Sequence, residues 1–487
     1  MPSAVNFWDA STVDAPEPLP EQPTATLPER PTTTLPEPVE GRSPWIVALV
    51  IAALLTGAGL AVASWAFGWF DHDSRPANVL PAQVAGYVEI DFEPTPWQQL
   101  QAWSFLHDLP EVQASGGHPE PKKLFWQLLG KRLGYGTDAD FAADIEPWLG
   151  ERAGFALMSA PDEQSWMFAI ELTDTDLGTT TLRRWIAESG QDYDVTAIDG
   201  YALITRGKHT DLVLTGLADG RLGGDPGFIA DMAKVGDPGF FALWADLGRF
   251  AEPGATEETP RGRVAGALVL SGDAATIAGH ATDLPLPAIE AAGRLGELPA
   301  SSVAGFSVSG GTDAMPALWP SLAAHAEAWP QWSDVTEADV ASLLGSSFSV
   351  AVFGESLFDG QFGLRTTTAD PIRAEATLER VIAGTEYAGL QHRVEGEVLA
   401  AARGADQRDE LAGTGPRLAG LPEFQGAVPD HARAIAAGYL DPDAVGWFSV
   451  EPGSAYAAFS GSIRAFGGQF LGTGAGTGDW ALRVVRS

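Results

Sequence analysis

The chain has 487 residues, 45% hydrophobic and 19% charged, which describes a folding protein too long for one ordinary domain. Its 29 Lys and Arg face 64 Asp and Glu, a formal charge of −35 that argues against nucleic acid and favours cations or basic partners. Cysteine is absent, which excludes disulfides, zinc–thiolate centres, thiol nucleophiles and lipid-modified cysteine.

Residues 1–43 are rich in Pro, Thr and Glu, and TLPE occurs at Thr26–Glu29 and Thr34–Glu37. Proline removes amide donors and favours extended backbone, so a disordered cytoplasmic tail is expected. It reads either as a spacer or as a partner-binding tail phosphorylated at Thr26, Thr32, Thr33 or Thr34.

Pro44–Phe70 carries no charged side chain, with Trp45 at one end and Trp65, Trp69 and Phe70 at the other. As a helix its length is about 40 Å, enough for a hydrocarbon core of about 30 Å. A single transmembrane helix, left uncleaved, is the expectation. Arg30 and Arg42 before it and Arg75 after it favour a cytoplasmic N-terminus and an extracytoplasmic C-terminal region in a single-pass cell-membrane protein. Ala53, Gly57 and Ala61 share one helix face, which suggests a homodimer through the membrane helix.

A linker (71–79) leads to VLPAQVAGYVEIDF, whose late alternation predicts a strand. Helical stretches are expected around Trp97–Leu109 and Lys122–Leu133, followed by strands in DIEPWLGERAGFALMS and SWMFAIEL. Asp174 is placed to cap a helix over LGTTTLRRWIAES.

The pattern then returns. LPAQVAGY (Leu80–Tyr87) is echoed by LPASSVAGF (Leu298–Phe306), and Trp148-Leu149-Gly150 by Leu343-Leu344-Gly345. Leu182-Arg183-Arg184-Trp185-Ile186 matches Leu378-Glu379-Arg380-Val381-Ile382, and the segment from Asp225 matches that from Leu421. Over most of this range the offset stays between 194 and 197 residues. The predicted fold class is therefore α+β: a transmembrane helix, then two similar halves (80–292 and 293–487), each with a mainly antiparallel sheet and flanking helices, meeting near Gly293–Pro299.

LPAQVAGYVEIDF soon after an apolar segment, followed by DIEPWLGERAGFAL, resembles the bacterial domain-of-unknown-function family 3352. The likeness is best over Val79–Ala281, and Ser346-Ser347 stand in the second half for the pair Glu151-Arg152. The resemblance implies an actinobacterial, membrane-anchored architecture with an extracytoplasmic region, and no mechanism.

No catalytic, cofactor-binding or metal-ligating residue is nominated, and no cofactor is expected. His72, His107, His118, His209, His280, His325, His392 and His431 never fall within four residues of one another, so none forms a zinc-type pair in sequence. Gly305–Gly310 lacks the GxSxG spacing, and Gly472, Gly474, Gly476 and Gly478 read as a hairpin without a following helix. Asp174-Thr175-Asp176 departs from a calcium loop because Trp185 stands at its twelfth position. Asp138/Asp140 and Asp441/Asp443 are carboxylate pairs in a chain full of carboxylates. Trp319, Trp329 and Trp332 bracket a Pro-interrupted helix and offer either inter-half packing or an apolar patch.

The function expected from sequence is a non-enzymatic binding or structural module of the cell envelope, contacting the lipid bilayer through one helix and an envelope protein, lipid or glycan outside it. The alternatives are an envelope hydrolase using carboxylates and a signalling protein with a phosphorylated tail.

Overall fold

The computed structural model describes residues 75–486 apart from short internal stretches, chiefly 108–121, 130–138, 251–260, 327–333, 355–360 and 445–460. The described residues fall within one compact unit, Ser43–Ser487.

Alternating apolar residues and tight turns make strands, and sixteen of them join one sheet. The first eight are β1 (Gly86–Asp91), β2 (Leu149–Ser159), β3 (Gln164–Leu172), β4 (Tyr193–Ile198), β5 (Tyr201–Arg206), β6 (Phe241–Asp246), β7 (Arg263–Leu270) and β8 (Ala274–Thr282). The second eight are β9 (Ala304–Ser309), β10 (Ser347–Val352), β11 (Phe362–Thr367), β12 (Gln391–Glu395), β13 (Val398–Ala402), β14 (Ala436–Leu440), β15 (Ile463–Gly474) and β16 (Thr477–Arg486). The order across the sheet is β12-β13-β11-β10-β9-β14-β15-β16-β8-β7-β6-β1-β2-β3-β5-β4. Each set of eight thus follows one order, read outward from its last strand. Every ladder between named strands is antiparallel.

The sets meet where β8 pairs with β16, from Gly478↔Ala281 to Val485↔Ala274. Trp480 lies opposite Gly279 and over Gly266, where a Cβ would overlap the indole ring. One hydrophobic cluster crosses this seam, running from Ile90, Phe168 and Trp185 to Ile463, Trp480, Leu482 and Val484. The opposite face of the first set packs Tyr87, Met167, Tyr201, Leu203 and Trp244. That of the second packs Leu298, Ala400, Ala402, Phe424 and Tyr439.

The described helices are α1 (Pro96–Leu106), α2 (Thr175–Ser189), α3 (Thr210–Asp219), α4 (Pro226–Val235), α5 (Gly311–Ala326), α6 (Glu337–Leu344), α7 (Pro371–Ile382), α8 (Ala405–Ala412) and α9 (Pro422–Ala427). Asp174 caps α2, accepting from the Leu177 amide at 2.9 Å, and Asp370 caps α7 in the same way through the Arg373 amide at 3.1 Å. At α6, Thr336 and Asp339 form a reciprocal capping box. Arg373 Nε donates to Asp339 Oδ1 at 2.8 Å, and this bond, with the one Asp339 accepts from the Thr336 amide, holds the carboxyl well below the usual carboxylate range. A lowered folded-state value contributes stability that is present above the unfolded value, about 3.9, and is lost as the pH falls below it. Asp339→Ala is expected to cost about 1–2 kcal/mol in urea unfolding at pH 7, with a smaller difference from wild type near pH 3.

Several sequence expectations need correction. The two halves do not hold separate sheets meeting near Gly293–Pro299: one antiparallel sheet of 16 strands runs through both. The fold class with a single transmembrane helix is corrected with it, because among the described residues no helix is long and apolar enough to cross a membrane. The same finding counts against the single-pass cell-membrane localisation with an extracytoplasmic C-terminal region. Residues 1–43 and 44–70, on which the tail and the membrane helix were placed, lie outside the described residues. DIEPWLGERAGFALMS is not all strand: Phe141–Ile145 forms a π-helical turn, and β2 starts only at Leu149, past Pro147.

Candidate functional site

Two places concentrate chemistry: a buried charge cluster at the centre of the first strand set and an open groove at its outer edge. In β1, alternation puts Tyr87, Glu89 and Asp91 on one face. Asp91 pairs in register with Arg152 of β2, and Arg152 Nε donates to its Oδ2 at 2.9 Å. The Tyr87 hydroxyl donates to Glu89 Oε2 at 3.0 Å. Glu89, Asp91 and Arg152 are each 3% exposed, and Glu89 Oε1 is buried without a hydrogen-bond partner. Burial raises the Glu89 carboxyl against the pull of Arg75, Tyr87 and Arg152, and pushes Asp91 up to about 7 against Arg152.

The second strand set replaces this cluster with hydroxyls. The Ala85 amide bonds Leu157 and the Ala85 carbonyl receives the Asp246 amide; Val303 does the same with Val352 and Asp441. This equivalence puts Ser307, Ser309, Ser347 and Ser349 where Glu89, Asp91, Arg152 and Gly154 stand, with Ser309↔Ser347 and Ser307↔Ser349 paired in register. All four serines are buried, and Ser349 Oγ donates to Ser307 Oγ at 2.9 Å. The reading of Ser346-Ser347 against Glu151-Arg152 matches this geometry.

The edge groove lies between α2 and β4 and encloses about 650 Å³, lined by Arg183, Ile186, Gln191, Asp192, Tyr193 and Asp194 among others. β4 and β5 form a two-residue hairpin through Asp199 and Gly200, both at positive φ (47° and 82°). Ile198↔Tyr201 is then a hydrogen-bonded pair, as are Thr196↔Leu203 and Asp194↔Thr205. The main-chain groups of Val195 and Ala197 therefore face the open edge. Arg183 of α2 covers one of them: its Nε and Nη2 donate to the Val195 carbonyl at 3.1 and 3.0 Å. At the opposite edge, β12, the corresponding helix contributes Glu375 and Glu379, each 3.3 Å from His392 Nε2.

The residues singled out from sequence scatter. His280 pairs with Asp479 across the β8·β16 seam at 2.8 Å, His107 contacts the Ser104 carbonyl, and the His431 ring packs at a tilt against Phe424. His72 and His118 lie outside the described residues, as does the side chain of His325. Among the described residues no group of three His, Asp or Glu is placed to hold a metal. Asp140 caps the Phe141–Ile145 turn, while Asp441 accepts from the Asp443 and Ala444 amides and Asp443 pairs with Arg464; Asp138 lies outside the described residues. Gly476 supplies the positive φ (66°) of the β15–β16 turn. Trp319 is half-buried beside Met315, Val335 and Val340, and Trp329 and Trp332 lie outside the described residues. Among the described residues, Trp97 and Trp103 of α1 are exposed at 66% and 44%.

Sequence reasoning missed Glu89 and Asp91, although the signal was there: in YVEID two carboxylates share a face inside a run whose other face is apolar. These features define a continuous antiparallel sheet with one charged and one hydroxyl-lined centre. The model of a family of proteins of unknown function, DUF3352, matches residues 47–222 and supports the resemblance carried by the β1 and β2 motifs. No curated protein and no solved structure matches the chain.

Proposed function

We propose that the protein is a non-enzymatic binding module that takes an extended, basic polypeptide segment as an added strand along β4. The observation that carries this reading is the groove between α2 and β4, lined by Val195, beside an open edge toward which the main-chain groups of Val195 and Ala197 turn. Adding a strand to an open edge supplies main-chain hydrogen bonds, and the groove wall supplies side-chain selection. Arg183 acts as a placeholder: its guanidinium satisfies the Val195 carbonyl until an incoming amide replaces it. Asp192 and Asp194 at the groove, within a chain of charge −35, attract Lys- and Arg-bearing segments and speed encounter at low salt. The bacterial and actinobacterial origin implied by the family resemblance belongs to the same reading.

The test is fluorescence anisotropy of the full chain with labelled β-prone decapeptides carrying Lys or Arg. Ala197→Pro removes an outward amide without touching the β4–β5 ladder, so it is expected to weaken binding about tenfold while leaving thermal unfolding unchanged. Binding that is equal in wild type and Ala197→Pro, or absent from both, would overturn the reading.

A further inference from the structure

We propose that the Tyr87–Glu89–Asp91–Arg152 cluster is a proton-operated latch for the strap Arg75–Val79, seated while the two carboxylates share a proton and released as that proton is lost. Two carboxylates and one guanidinium lie out of water, so full ionisation leaves one negative charge in the interior that Arg152 does not balance; Arg75 of the strap pulls on Glu89, but burial outweighs it. Glu89 is the member in excess: its Oε2 has the Tyr87 hydroxyl and its Oε1 has no partner, whereas Asp91 has Arg152. Tyr87 links the cluster upward, because the Ala77 backbone also hydrogen-bonds its hydroxyl.

The strap closes the cluster from above. Pro76–Val79 forms a single 3-10 turn, and Ala77 and Val79 are each 1% exposed. Gly154, opposite Glu89 in register, leaves the space that Pro76 fills, and a Cβ there would overlap the proline ring. Hydrating an ionised Glu89 therefore requires Pro76 to lift. The charged and titratable groups facing Glu89 are Arg75 from the strap, Tyr87 and Asp91 from its own strand, Arg152 from β2 and Glu171 from β3; Tyr201 of β5 faces Tyr87. From β6 the residue in register is the neutral Ala242.

The second strand set supplies an internal control. Its equivalent strap, Leu295–Glu297, belongs to a set with serines at the positions of the carboxylates, and its Glu297 pairs with the largely buried Arg365 of β11 at 2.9 Å and with Arg294.

The sign follows from linkage. The closed strap holds a proton that the hydrated, open state releases, so opening rises with pH between the ordinary carboxyl value of about 4.3 and the raised value of the closed state, and is flat above it. Hydrogen exchange of the full chain, read by mass spectrometry on peptides over 75–79 and 294–298 between pH 5 and 8 and corrected for intrinsic rates, tests this. In wild type, opening of the first strap is expected to rise about tenfold per pH unit and then level off, while the second strap stays flat. Glu89→Gln, neutral at every pH, is expected to hold the first strap shut throughout. A first strap that tracks the second in wild type overturns the proposal even if the variant does not fold, and so does an unchanged slope in Glu89→Gln.

Discussion

Replacing Arg152 with methionine is expected to destabilise the fold by about 3–5 kcal/mol at pH 8, the cost of leaving a buried carboxylate uncompensated. Both side chains of the Arg152–Asp91 pair are 4% exposed, so solvent screening gives little relief. The loss should shrink on acidification, because Asp91 and Glu89 become neutral and no longer need the guanidinium. It should also shrink in Asp91→Asn/Arg152→Met, where the charge and its partner leave together. Urea unfolding of the four members of this cycle at pH 8 and pH 5.5 measures it. Additive losses at pH 8 would show that the pair is not coupled as its geometry requires.

The second large effect is expected at Asp231. Its Oδ2 accepts from Trp244 Nε1 at 3.1 Å and from Arg263 Nε at 2.7 Å, and its Oδ1 accepts from Thr282 Oγ1 at 3.1 Å. One carboxylate thus ties α4 to β6, β7 and β8, while Asp231 itself is 3% exposed. Asp231→Ala strands an indole N–H, a hydroxyl and part of a guanidinium, for an expected loss of about 3–5 kcal/mol. Asp231→Asn keeps the shape and one acceptor and should lose less. Thermal and urea unfolding of both variants decide it, and a loss below about 1 kcal/mol for Asp231→Ala would mean that water replaces the carboxylate.

Local features were legible in the sequence because they depend on neighbours in the chain. Alternation in VAGYVEIDF placed β1, Asp174 placed the start of α2, and Gly-rich spacing placed the β15–β16 hairpin. The partner of Asp91 was not legible, since Arg152 lies 61 residues away and only the β1–β2 register brings them together. Nor was the single sheet. The echo between the halves follows side chains, whereas β8 and β16 join through main-chain amides that every residue carries. The edge groove was hidden for the same reason: which strand ends a sheet is a property of the whole topology. Arg183 was matched to Glu379 as a helix position, but its contact with the Val195 carbonyl needs β4 to be an edge.

The β8·β16 seam also acts as a ruler. Because each strand set runs outward from that seam in the same order, β4 and β12 are sibling termini separated by fifteen strand spacings, a contour of about 70 Å. A ligand with two strand-forming segments engages both only if its tether reaches from one edge to the other, a separation that this contour bounds from above. The siblings also differ in their flanking charge: Arg183 donates to the β4 main chain, whereas Glu375 and Glu379 face the His392 side chain of β12. A tethered ligand would therefore have a preferred orientation along the sheet, set by which of its segments is the more basic.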